Sequence, residues 1–171
     1  VQTCALPIFS AKNREAFLTK LRQNYGTERI LAKLSEYGIP NKLAFQIQDF
    51  YKEETLEIVE QFPYQLVEDI QGVGFKIADQ LAQSLGIENT APERFRAGLL
   101  HTLLTQSMEK GDTYLEAKEL LEHTIELLES SRQIELDPSS VADELTCLIE
   151  EDKVQNVDTK IFENSLFFAE E

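Results

Sequence analysis

The chain has 171 residues, of which 42% are hydrophobic and 27% charged, and a formal net charge of −15. These values are typical of a globular chain with one or two small domains. No apolar run approaches the roughly 20 residues that a membrane-spanning helix needs, and no secretory signal is recognisable. Two cysteines, two histidines and no Cys-x-x-Cys pair argue against a metal site. We therefore expect a cytoplasmic protein with no bound metal and no membrane contact.

The charge is distributed unevenly along the chain. Residues 12–52 carry eight basic and four acidic side chains, residues 53–110 carry four and ten, and residues 111–171 carry four and seventeen. Basic surfaces attract nucleic acid and acidic surfaces repel it. Any DNA contact is therefore expected in the first half, while the acidic half faces solvent or a protein partner.

The N-terminal part reads as a short leader followed by helices. Residues 1–8 resemble a translated sequencing adapter, so we treat residues 1–9 as a non-native or disordered leader. Apolar spacing predicts one helix from about Asn13 and a second from about Thr27 to Glu36. The natural protein is then expected to begin further upstream, which makes this chain a fragment.

A first hairpin is predicted between Tyr37 and Ala44. It reads as a degenerate copy of a hairpin found later in the chain, with Gly38 in the place of a first glycine and Pro40 in the place of a second. Proline has no N–H to offer a phosphate, so this copy is expected mainly to pack. Lys42 is still a candidate DNA contact. A helix from Glu54 to Gln61 then links the two copies in a compact five-helix unit.

The second hairpin, Ile70 to Ala78, has the most informative pattern in the chain. It joins a helical segment from Pro63 to Asp69 to a second segment that ends at Gly86. Its glycines let the backbone turn sharply and approach another molecule closely. The second helix begins with unpaired N–H groups that attract anions, and a lysine lies in its first turn. The candidate DNA-binding residues here are Gly72, Val73, Gly74, Phe75 and Lys76.

This pattern resembles the helix-hairpin-helix motif of DNA repair and recombination proteins, in which hairpin amides hold the phosphate backbone. The alternative is a hairpin with a purely structural role. Arg94 and Arg96, shortly after the second helix, are further candidate phosphate contacts. Salt bridges to Glu88 or Glu93 are the equally weighted alternative for them.

Three helices and a β-hairpin are predicted after Gly86. The helix starts are marked by capping boxes at Thr90–Glu93 and Thr113–Glu116 and by an N-cap at Asp137. Two β-type runs, Lys153 to Val157 and Lys160 to Glu163, form the hairpin.

The predicted fold class is therefore mainly α: a tandem helix-hairpin-helix unit over residues 10–88, then a winged-helix-like domain with a short β-hairpin over residues 89–171. This second domain is expected to be cut off at its C-terminal end, where residues 165–171 begin another helix. The helix that would enter a DNA groove, Pro138 to Glu151, has four acidic residues and no Lys or Arg. Because groove entry needs positive charge, packing or protein docking is expected of it instead.

The sequence offers no catalytic residues. His101 and His123 lack a nucleophile and carboxylate arranged for covalent catalysis, and no Gly-x-x-x-x-Gly-Lys-Ser/Thr loop is present for nucleotide hydrolysis. The helix-hairpin-helix glycosylases share the Gly-Val-Gly hairpin but need a downstream aspartate, and Asn89 to Glu93 contains none. This fragment alone is not expected to be an enzyme.

Several segments in order extend the resemblance. They are Thr55-Leu56-Glu57-Ile58-Val59, Phe62-Pro63-Tyr64-Gln65-Leu66, the Gly72 hairpin, Arg96-Ala97-Gly98-Leu99-Leu100, Gly111-Asp112-Thr113-Tyr114-Leu115 and Leu166-Phe167-Phe168-Ala169-Glu170. Together they resemble the N-terminal region of bacterial RecD-like ATP-dependent DNA helicases, over about residues 13–171. The chain departs from the family at Asp112, where histidine is frequent, and at Pro40.

The resemblance implies a parent protein that unwinds duplex DNA 5′ to 3′ with ATP and Mg²⁺, its motor lying beyond Glu171. The fragment itself would hold no cofactor. It would contact the phosphate backbone of duplex, forked or single-stranded DNA without base specificity and dock on the motor domains. The alternative is an acidic protein-interaction scaffold that docks on a motor domain and whose hairpin only packs.

Overall fold

The computed structural model describes residues 11–111 and 113–163. The predictions for residues 1–9 and 165–171, and the last segment of the family resemblance, concern residues outside these ranges. The elements, in chain order, are α1 (Ala11–Glu36), α2 (Asn41–Tyr51), a 3₁₀ turn (Lys52–Glu54), α3 (Thr55–Gln61), α4 (Gln65–Asp69), α5 (Phe75–Ser84), α6 (Pro92–Lys110), β1 (Tyr114–Glu116), α7 (Ala117–Arg132), α8 (Pro138–Glu150), β2 (Val154–Val157) and β3 (Lys160–Glu163). The mainly helical fold class is confirmed.

The chain divides into two compact units between Glu57 and Ile58. The first contains α1 and α2, with Leu34, Ala44 and Ile47 buried. The second contains α4 to α8 and the sheet. The domain boundary expected between residues 88 and 89 remains a prediction. So does the five-helix unit that precedes it.

Helix α1 is continuous, so the two helices predicted before the first hairpin are one. Gly26 lies inside it. A single glycine within a helix costs only about 1 kcal/mol relative to alanine, and no proline interrupts this stretch, so nothing in the local sequence ends the helix there.

The second unit has the order of elements of a winged helix. Helices α6, α7 and α8 are followed by the hairpin β2–β3, and the antiparallel sheet has the strand order β1-β3-β2. Its core includes Leu99, Leu103, Leu128, Leu145 and Ile161, each at most 5% exposed. The predicted winged-helix-like arrangement is confirmed, with one more strand than expected.

That extra strand corrects the predicted capping box at Thr113–Glu116. Residues 114–116 form β1, in which Leu115 pairs with Ile161 of β3, and α7 begins only at Ala117. Both paired side chains are 1% exposed. Strand pairing that buries two large aliphatic groups therefore outweighs the local capping signal.

Two other helix starts differ from the prediction, and one matches it. Helix α6 begins at Pro92 with Ala91 before it and no side-chain cap, so the box predicted at Thr90 does not form. Pro63 precedes α4 by two residues instead of opening it. Asp137 caps α8 as predicted, its Oδ1 accepting a hydrogen bond from the Ser139 amide at 3.0 Å.

Candidate nucleic-acid interface

The second hairpin is held in shape by alternating exposed and buried residues. Gly72 has a φ of 99°, a left-handed value that favours glycine. The next side chain, Val73, is 4% exposed and anchors the turn in the core. Gly74 then precedes α5 in an extended conformation. Both glycines are exposed, so the turn is open on its outer side.

Four of the five main-chain amides from Gly72 to Lys76 have no partner in the described part of the chain, and that of Gly72 is the first of them. The Gly74 carbonyl accepts hydrogen bonds from the amides of Ile77 and Ala78, which start the helix. The amides of Gly74, Phe75 and Lys76 donate no hydrogen bond to any described residue. Helix α5 has ten residues, so its N-terminal end carries the partial positive charge that favours anions.

The outer face of Gly74 is open enough for a close approach. A Cβ built at this position meets no atom within 4 Å, and the backbone, with φ −84° and ψ 165°, is one that any residue adopts. The fold therefore does not require glycine here, but a side chain would project into the space in front of the amides.

Val73 and Phe75 take supporting roles. The Val73 amide donates to the Ile70 carbonyl at 3.1 Å, so Val73 is wrong as a phosphate contact. The Phe75 side chain is 1% exposed and stacks between the rings of Tyr64 and His101, with centroid distances of 5.9 Å to each. Of Phe75, only the main-chain amide is available to bind a ligand.

Lys76 is exposed, and it forms no ion pair with a carboxylate of the described residues. Its position in the first turn of α5 places a full positive charge beside the unpaired amides. Amide donors and a mobile ammonium group together suit an anion, because the charge adds to the field of the helix end.

The first hairpin repeats this backbone geometry in the other unit. Gly38 has a φ of 81°, Ile39 is 4% exposed, and Pro40 precedes α2 in an extended conformation. Lys42 is exposed in the first turn of α2, as Lys76 is in α5. The two turns differ at their third position, where proline lacks the N–H that Gly74 provides.

Arg94 is wrong as a DNA contact, because its side chain is completely buried. Its Nε and Nη2 donate to the two carboxylate oxygens of Asp79 at 2.9 and 3.0 Å. Its remaining donors reach the carbonyls of Asn89 at 3.1 Å and Leu128 at 2.6 Å. The salt bridges to Glu88 or Glu93, weighed as the alternative, are not among the contacts of the described residues either.

Asp79 is the centre of a buried cluster that sequence analysis missed. Besides Arg94, its carboxylate accepts hydrogen bonds from the Tyr64 hydroxyl at 2.8 Å, the Ser131 hydroxyl at 2.6 Å and Arg132 Nε at 3.1 Å. The cluster ties α5, which carries the hairpin amides, to α6 and α7. A signal was present in the sequence: Asp79 lies four residues after Phe75 and three before Ala82, on the apolar face of α5.

The pKa directions in the cluster follow from these contacts. Burial by itself would raise the pKa of Asp79, but the hydrogen bonds from Arg94, Ser131, Tyr64 and Arg132 hold it below its ordinary value. Burial, and then the bond to Asp79, raise the pKa of Tyr64 well above its ordinary value. The carboxylate is therefore ionised and the phenol protonated across the neutral range.

Arg96 forms ion pairs with the last helix of the winged-helix unit. Its Nε donates to Glu144 at 2.7 Å and its Nη1 to Glu151 at 3.0 Å, and these bonds raise its pKa further. Two carboxylates already neutralise this guanidinium: Glu144 lies in α8, which lacks Lys and Arg, and Glu151 directly follows that helix. Arg96 as a phosphate contact stays a prediction, and the geometry gives it no support.

Other classes of site are not evident in the residues that the structure describes. Within residues 11–111 and 113–163, no group of three or more His, Cys, Asp or Glu side chains is arranged to hold a metal ion. No helix in those ranges is both long and apolar enough to cross a membrane.

A comparison with known protein families identifies the family to which the chain is similar. Residues 23–114 match the helix-hairpin-helix domain of the ATP-dependent RecD2 DNA helicase. The match includes both hairpins and α3 to α6, and it spans more than half of the 171-residue chain. The chain therefore belongs to the RecD2 helix-hairpin-helix family and carries the N-terminal helix-hairpin-helix region of a RecD-like helicase.

Proposed function

We propose that this chain binds DNA through its phosphate backbone, without sequence preference, as the accessory region of a RecD-like helicase. One observation carries the proposal. The amides of Gly74, Phe75 and Lys76 lack partners among the described residues, at an exposed turn that leaves room for a ligand. Unsatisfied amides at a helix N-terminus bind phosphate oxygens readily.

The contacts available at this turn account for the absence of base specificity. Main-chain amides and a lysine side chain reach phosphate oxygens, which are the same at every nucleotide. Such contacts fix the position of a strand without reading its sequence. Lys42, beside the first hairpin, is proposed as a weaker contact, because Pro40 withholds one amide from that turn.

We also propose the activity of the parent protein. It would unwind DNA 5′ to 3′ with ATP and Mg²⁺, in repair or recombination in the cytoplasm, using motor domains that this chain docks on. The 171 residues contain no P-loop sequence, so ATP would be bound elsewhere in the parent. The complete gene tests this point: a phosphate-binding loop in the same reading frame supports it, and an intact gene without one refutes it.

Fluorescence-anisotropy titrations with short duplex and forked DNA test the binding itself. The double variant Gly74→Val, Lys76→Glu blocks the amides and reverses the charge. The matched control Lys118→Glu makes the same charge change at an exposed site on α7. We expect the double variant to lose affinity for both DNAs and the control to retain most of it.

Equal, salt-insensitive affinity in the wild type and the double variant would refute the proposal. The scaffold alternative makes a different prediction: no measurable DNA affinity for this chain, together with retention of the motor domains in a pull-down. The two experiments therefore separate the two functions.

A further inference from the structure

A cavity of about 270 Å³ lies beside the hairpin, between α5, α6 and α7. Most of its lining residues have polar side chains, although apolar atoms supply the larger part of the lining surface; the residues include Lys76, His101, Thr102, Thr105, Glu126 and Ser130. This volume is near the lower end of the range of about 300 to 1,000 Å³ for sites that hold drug-sized molecules. It therefore suits one small ring system better than an extended ligand.

One wall of the cavity is the end of a ring stack. Tyr64 and Phe75 stack with their planes 16° apart, and Phe75 and His101 follow with planes 28° apart. His101 is the last ring of the three and lines the cavity. Burial lowers the pKa of His101, so its imidazole is neutral at pH 7 and offers a flat face on which a further ring can stack.

The polar groups of the cavity include one with no partner. Thr102 is 5% exposed, and its hydroxyl makes no hydrogen bond to any described residue. A buried hydroxyl without a partner costs free energy, but the Thr102 oxygen has almost no accessible surface, so an occupant would reach it only after a change of the side-chain rotamer. Thr105 adds a second hydroxyl to the same lining.

The acidic and basic side chains of the cavity balance each other, which suits a neutral occupant. Glu126 and Lys76 both line the cavity, so one carboxylate there is matched by one ammonium group. Lys76 connects the cavity to the turn proposed to bind phosphate. A strand whose phosphate contacts the turn would thus have a base within reach of the cavity.

Accordingly, we propose that this cavity receives one unpaired nucleobase of the strand bound at the Gly72–Lys76 turn. The inference rests on the proposed function and adds to it a preference for DNA with a single-stranded portion. The base stacks on His101 and bonds to the hydroxyl of Thr105, which lines the cavity and is half-buried, while the turn holds the adjoining phosphate. Stacking on a ring is tolerant of sequence, so the preference concerns strandedness and not base identity.

The test compares two tailed duplexes with the same phosphates. One carries an ordinary single-stranded tail and the other a tail made entirely of abasic residues. The wild-type chain should bind the ordinary tail about 5- to 150-fold more tightly. Ser130→Trp, which fills the cavity from an exposed position, should bring this ratio close to one.

Two further variants complete the experiment. Thr146→Trp places the same ring at an exposed site on α8 and should leave the ratio unchanged. Lys76→Glu should weaken both affinities together. A wild-type ratio near one, or a ratio that Ser130→Trp does not alter, would overturn the inference and leave the phosphate proposal intact. Failure to bind either tail would refute both.

Discussion

The buried carboxylate of Asp79 is expected to make a large contribution to the free energy of unfolding. Its side chain and that of Arg94 are fully buried, and that of Arg132 is 1% exposed. One negative charge thus offsets two positive charges in the interior. Replacing Asp79 by Asn keeps the shape and one acceptor oxygen but leaves two guanidinium groups without a counter-ion.

The expected cost follows from this arrangement. Breaking a buried ion pair by removing one partner costs about 3 to 5 kcal/mol. For a chain of this size each kcal/mol lowers the melting temperature by roughly 2 to 4 °C, so Asp79→Asn should melt about 6 to 20 °C below the wild type. Asp143→Asn, at an exposed position of α8, is the matched control and should melt within about 2 °C of it.

The pH dependence of stability provides a second measurement on the same variant. The pKa of Asp79 is lower in the folded state than in the unfolded chain, so the folded state holds its proton less tightly. The resulting stabilisation is complete above the unfolded value of about 3.9 and is lost as the pH falls through the folded pKa. The free energy of unfolding of Asp79→Asn should therefore fall less than that of the wild type as the pH is lowered.

Denaturant unfolding at pH 7 and between pH 5 and pH 2.5, followed by circular dichroism, measures both effects. The difference between wild type and variant isolates Asp79 from the other carboxylates. Free energies of unfolding within about 0.5 kcal/mol of each other at pH 7 would refute the cluster as a source of stability. So would an unchanged difference across the acid range.

Three further predictions test packing, capping and charge. Gly98→Leu should lower the free energy of unfolding by at least about 1 to 3 kcal/mol, because even a Cβ at this position would lie 2.9 Å from Leu128 Cδ2 and the gain in helix propensity over glycine is only about 1 kcal/mol; a melting temperature equal to that of the wild type would contradict it. Asp137→Ala should cost about 1 kcal/mol by removing the bond to the Ser139 amide, and denaturant unfolding without a shift in midpoint would exclude that role. Lys76→Gln should reduce the slope of log affinity against log salt by about one, measured by anisotropy; an unchanged slope would mean that this ammonium group contacts no phosphate.

Sequence alone identified the features that depend on local chemistry. The Gly-Val-Gly pattern predicted an exposed turn at the start of a helix, and Asp137-Pro138 predicted the start of α8. The order of three helices and a β-hairpin predicted the winged-helix-like unit. Each of these rests on residues close together in the chain, where glycine conformation, capping and apolar spacing act directly.

Only the tertiary structure decided which charged residues face solvent. Arg94 and Arg96 are only two residues apart in the chain, yet Arg94 is buried against Asp79 and Arg96 forms an ion pair with Glu144. Strand β1 likewise exists because β3, far along the chain, supplies its hydrogen bonds. These outcomes depend on long-range partners, since the cost of burying a charge or a backbone amide is offset only by a group that folding brings alongside it.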